Sequence, residues 1–145
     1  MPILNYTTSI EAEKTVGQIQ KMLSLAGARA IMTQYDQDQV LSSIAFQIDH
    51  QGQMLSFLLP AQLDKIWTIL QNDDKVPRRL KSRDQAARVT WRIIKDWVEA
   101  QLAIIEAEQA EMVEVFLPYM QDAQGQTVYQ RLEHHGVAGL LGHSA

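Results

Sequence analysis

The chain has no cysteine. That absence excludes disulfide frameworks, thiol nucleophiles and cysteine-ligated zinc together, and it fits a reducing compartment. Long apolar runs are missing too. The longest are a few residues, as in Phe57-Leu58-Leu59-Pro60, whereas a membrane span needs about 20. Met1 to Ile10 contains no basic stretch followed by an apolar run, so no secretory signal is expected. The phosphate-cradling patterns G-x-x-x-x-G-K-S/T and G-x-G-x-x-G are absent, as is the G-x-S-x-G nucleophile turn. These absences predict a soluble cytoplasmic protein with no membrane partner, no cofactor and no catalytic residues.

Few metal-ligand patterns survive inspection. Glu133-His134-His135 puts two histidines side by side, but neighbours on a helix point about 100° apart and rarely share one ion. His50 falls in a turn, His143 stands near the C-terminus, and Asp36 and Asp38 read as a polar turn. No metal site is expected.

With 145 residues, 46% of them hydrophobic, the chain fits one domain that buries a sizeable core. We expect that domain over 1–136 and a flexible glycine-containing tail over 137–145. Thr8-x-x-Glu11 has the form of a capping box opening a helix through Val16, Ile19 and Leu23, with Gly27 as its stop. Three strands follow, over 28–35, 40–49 and 54–59. In the second, Ile44, Phe46 and Ile48 alternate with Ser43, Ala45 and Gln47. Their short connections, Gln37-Asp38-Gln39 and His50-Gln51-Gly52-Gln53, make an antiparallel meander. A short helix carries Leu63, Ile66, Trp67 and Leu70 and stops near Asn72-Asp73-Asp74. Ser82-x-x-Gln85, a second capping box, opens a long helix over roughly 83–117, with a break possible inside it. Thr127 to His135 reads as a short C-terminal helix. The fold class is therefore α+β: an N-terminal helix, a three-stranded meander, a short helix, one long helix and a short last helix.

The net charge of −4 conceals a polarised distribution. Lys75, Arg78, Arg79, Lys81, Arg83, Arg88, Arg92 and Lys95 are eight of the 13 basic residues, set among one acid, Asp84. On a helical wheel Arg88, Arg92 and Lys95 share a face, opposite a stripe of Val89, Ile93, Trp97, Ala100 and Ile104 widened by Val98 and Ile105. The order of charge along this helix opposes its dipole: bases come first, then Glu99, Glu106, Glu108, Glu111 and Glu114. A helix favours the opposite order by roughly 0.3–1 kcal/mol per charge. A bound polyanion at the N-terminal half explains the inversion. So do two other arrangements. Arg92–Asp96 and Lys95–Glu99 can pair as i,i+4 neighbours, and the acidic half can pair with the basic half of a partner chain in an antiparallel homodimer.

The leading expectation is a non-enzymatic nucleic-acid-binding protein, taking DNA or RNA. The eight cations would contact phosphates, and Trp91, about 60° from the apolar centre, is the candidate stacking platform. Trp67 and Trp97 are expected in the core. The alternative is a protein-interaction module, an inhibitor or adaptor with no nucleic-acid ligand.

Three stretches carry a resemblance: Asn5-Tyr6-Thr7-Thr8 with Glu13-Lys14-Thr15-Val16-Gly17, then Pro77-Arg78-Arg79 with Gln85-Ala86, and the run Trp91-Arg92-Ile93-Ile94-Lys95-Asp96-Trp97-Val98-Glu99-Ala100-Gln101-Leu102. Phe116-Leu117-Pro118-Tyr119 adds to it. With these the chain resembles a family of small proteins of bacteriophages and integrated mobile elements. The resemblance implies a viral or mobile-element setting, hence host-cell cytoplasm, and no established activity. The order helix, three strands, helix also resembles a double-stranded-RNA-binding domain in topology alone. The inserted helix 61–71 and the missing lysine-rich signature depart from it, so no RNA contacts are carried over.

Overall fold

A computed structural model describes residues 1–142, and the α+β order expected above is the one found. Helix α1, Ala12–Leu25, buries Thr15, Val16, Ile19 and Leu23 along one face. Gly27, at φ +111°, ends it: the amide of Ala28 reaches the carbonyl of Leu23 at 2.9 Å and that of Gly27 reaches Ser24 at 3.1 Å, a Schellman closure. The Thr8 capping box does not form. Thr8 Oγ1 accepts from the amide of Ile10 instead, and the helix starts with Glu11 as an N-cap that makes no side-chain bond. The reason is tertiary, since the carbonyls of Tyr6 and Thr8 are both held by the Gln85 side chain.

Strands β1 (Ala30–Tyr35), β2 (Leu41–His50) and β3 (Gln53–Leu58) form an antiparallel sheet in that order. The first turn is organised by Asp36, whose carboxylate accepts the amides of Asp38 and Val40. In the second, Gln51 and Gly52 both have positive φ, the requirement of the tight two-residue hairpin that matches strand twist. Gln34 pairs with Ser43 but Tyr35 with Leu41. That bulge at Ser42 lets Leu41 and Ile44 both face inward beside Phe46 and Ile48. The outer edge of β3 is taken up much later in the chain, where the amide of Gln121 donates to the carbonyl of Ser56 at 2.8 Å.

Helix α2 spans Leu63–Asn72 and α3 spans Arg83–Glu106. Helix α3 lies between α1 and α2. Trp91, Ile94 and Val98 join the sheet core, while Ala86, Ala87 and Val89 join a second cluster with Leu63, Leu70, Val76 and Leu80. This shifts the buried face away from the expected stripe: Ala100 and Ile104 are exposed and Trp91 is inside. Packing on both flanks, rather than the average direction of apolar side chains, sets the face.

The long helix is also shorter than 83–117. It ends at Glu106 in a second Schellman closure, with Glu108 at φ +61° where α1 uses glycine. The amides of Gln109 and Glu108 reach the carbonyls of Ile104 and Ile105, both at 3.0 Å. Helix α4, Met112–Phe116, follows, its N-terminus held by a Glu111/Glu114 capping box. An unbroken rod would carry Phe116 roughly 15 Å beyond Glu106. The break instead returns its ring to the core, 5.4 Å from Phe46 and 5.6 Å from Trp97. Helix α5, Val128–His135, has a complete Thr127/Gln130 capping box. Of the expected tail, 137–142 forms turns; 143–145, with His143, lie outside the described residues. No helix among them is long and apolar enough to cross a membrane.

Candidate nucleic-acid interface

The basic segment divides at Ser82. Before it, the chain from Lys75 to Lys81 is pinned by two buried side chains, Val76 and Leu80. The pinning is reinforced along the backbone. The amide of Val76 donates to the carbonyl of Asp73, that of Leu80 to Pro77 and that of Lys81 to Arg78, the last two closing a 3-10 turn over Arg78–Leu80. The indole of Trp67 donates to the Lys81 carbonyl at 3.2 Å. With Val76 and Leu80 turned in, Lys75, Arg78 and Arg79 are turned out and exposed. Lys81 is half-buried, its ammonium 3.3 Å from the carbonyl of Gln71. Among the described residues no carboxylate lies within ion-pair distance of these four.

After Ser82 the cations have internal partners. Ser82 caps α3 by accepting the amide of Gln85 at 3.0 Å. The Gln85 side chain does not return to complete the box; it crosses to Tyr6 and Thr8, 2.9 Å to each carbonyl. Arg83 holds three acids from two other elements: Asp36 at 2.6 Å, Asp38 at 3.5 Å and Asp64 at 3.5 Å. The hydrogen bond from Arg83, followed by the amide of Val40, holds the Asp36 carboxyl below its ordinary value, and the same bond raises that of Arg83. Arg88 pairs with Glu11 at 3.2 Å and donates to Gln85. Arg92 reaches Gln18 at 2.8 Å and Thr15 at 3.4 Å, both on α1. Lys95 pairs with Glu99 at 2.7 Å. The expected Arg92–Asp96 pair is not made, because Asp96 accepts from Asn5 instead.

Two expectations are corrected by this. Trp91 is fully buried, with its indole N–H donating to the carbonyl of Leu41 at 3.1 Å. It has no free face for a base, and its polar edge secures the β-bulge. The inverted charge order of α3 also has an internal cause, since its early arginines bind α1 and the β1–β2 turn. Helices α1 and α2 both pack against α3. Trp67 and Trp97 pack where expected, against the two apolar clusters.

No group of three potential metal ligands is found among the described residues. A hollow of about 390 Å³ beside Arg83 is lined by Asp36, Asp64 and Lys65 as well, and the ion pairs of Arg83 with Asp36 and Asp64 lie at its wall. Larger hollows lie at the other end of α3. No family model, no curated protein and no solved structure matches the chain.

Proposed function

We propose that the chain is a non-enzymatic nucleic-acid-binding accessory protein whose contact surface is the loop Lys75–Lys81. One observation carries this reading: three exposed cations without acid partners among the described residues, on a loop fixed by two buried anchors. A pre-ordered loop spends little entropy on meeting phosphates, and phosphate contacts position without reading sequence. The phage or mobile-element setting implied by the sequence resemblance belongs to the same proposal.

The contact set is small. Four phosphates give a salt slope of about −3.6, a loss on the order of 10² in affinity between 50 and 200 mM salt. Eight would give about −7 and a loss on the order of 10⁴. Binding to labelled single- and double-stranded DNA and RNA across a salt series decides between them. A slope near the smaller value, abolished by Arg78→Glu/Arg79→Glu in a folded chain, supports the loop. No binding at low salt removes the proposal. It leaves a protein-interaction module, an inhibitor or adaptor, a reading favoured by the apolar side chains exposed beside the acidic end of α3: Leu25 at 80%, Ile104 at 40% and Leu117 at 42%.

A further inference from the structure

The helix break at Ala107–Glu111 does more than return Phe116 to the core. It borders an open hollow of about 970 Å³, and a second hollow of about 620 Å³ between α1 and α3 shares Ile105 with it. Their apolar lining comes from three helices: Met22 and Leu25 of α1, Leu102 and Ile105 of α3, and Met112 and Val113 of α4. Leu25 stands almost wholly in solvent. Burying a leucine side chain removes apolar area from water, so a partner covering this lining has a driving force.

The charge around the lining has one sign. Glu106, Glu108, Glu111 and Glu114 border the hollows, and among the described residues none has a cation within ion-pair distance. Glu99 borders them too, but Lys95 neutralises it. His50 is the one basic side chain in the lining. Such a surface repels nucleic acid and anionic lipid, and its apolar floor gives a merely polar cation little to bury. The chemistry that satisfies both parts is an apolar stripe flanked by lysine or arginine.

We propose that this groove docks a basic amphipathic helix of a partner protein. The partner's apolar stripe would cover Leu25, Leu102, Ile105 and Met112, with its cations facing Glu106, Glu108 and Glu111. Helix-in-groove recognition takes this form, apolar anchors supplying affinity and flanking charge supplying orientation. The site is at the opposite end of α3 from the cationic loop, and it stands whether or not that loop binds nucleic acid.

The test uses the full chain and fluorescence anisotropy. The probes are a labelled Leu/Lys amphipathic helical peptide of roughly 18 residues, its Leu/Glu counterpart, and a scrambled Leu/Lys peptide of equal composition. The ordered Leu/Lys peptide is expected to bind. Leu25→Asp, at an exposed position, and Glu106→Lys/Glu108→Lys should each weaken it about tenfold or more, about 1.4 kcal/mol. Arg78→Glu/Arg79→Glu should leave it unchanged, which separates this site from the loop. Equal binding of the acidic or the scrambled peptide overturns the proposal, as does parental affinity in both groove variants. It is overturned as well if the chain alone sediments as a dimer that Leu25→Asp dissociates, since a second copy would then be the occupant.

Discussion

Four cations stand on each side of Ser82, and the two groups behave as different kinds of residue. Those in Lys75–Lys81 lie on a loop whose only inward-facing members are Val76 and Leu80. Those in Arg83–Lys95 lie on a helix packed between two others, where α1 offers Glu11, Thr15 and Gln18 and the β1–β2 turn offers Asp36 and Asp38. The number of cations is the same in both. The neighbours differ, and they decide whether a guanidinium staples the fold or faces solvent. A run of basic residues is therefore an upper bound on a binding surface, and here half of the run, from Arg83 to Lys95, is engaged within the chain.

The comparison is tested most severely by Trp91→Ala. If the segment after Ser82 is structural, this substitution costs about 3–5 kcal/mol of unfolding free energy by urea titration. Unchanged stability with weakened nucleic-acid binding would restore Trp91 as a stacking platform. Next comes Gln85→Leu, which removes the donor for the Tyr6 and Thr8 carbonyls. A loss of about 1–3 kcal/mol is expected, measured the same way. A smaller loss would mean that water substitutes readily and that the N-terminal segment is loosely held.

Asp36→Asn probes the Arg83 hub through pH. The folded-state pKa of Asp36 lies below its ordinary value. Its contribution is therefore complete above the unfolded value, about 4, and is lost as pH falls through the folded value. The parent should melt higher than the variant at neutral pH, and the two melting temperatures should converge below about pH 4. A gap that persists unchanged in acid would detach the hub from stability. The smallest effect is expected on the other side of Ser82: Arg78→Glu/Arg79→Glu should shift stability by no more than about 0.5 kcal/mol. Arg83→Glu, by contrast, should destabilise the chain measurably. Equal destabilisation by both would erase the distinction between the two groups.

Much of the fold was legible because its signals are local. The alternation in β2, the turn residues around Gly52 and the stop at Gly27 each sit within a few positions of what they specify. The end of α3 was not legible. A glycine at position 108 would have announced it, and Glu108 does not; the break is imposed by Phe116 reaching the core. Likewise Thr8 looks like a cap until Gln85, 77 residues on, takes its carbonyl. The basic cluster was visible as a run of charge, but its partition was not. The partners of Arg83, Arg88 and Arg92 lie 47, 77 and 74 residues away in the chain. The one usable hint was that apolar positions surround α3 on much of its circumference, which leaves little of its first half free.

The seal on β3 bears on how the chain is made. The strand is closed by Gln121, which leaves the ribosome roughly 65 residues after Ser56. At about 5–20 residues per second, the nascent meander waits on the order of 3–13 seconds with that edge unpaired. During that interval Phe57 also lacks the cover of Phe116. The C-terminal third of the chain thus acts as a late clasp, and the period before it closes is when the sheet is most open to pairing with a neighbouring nascent chain.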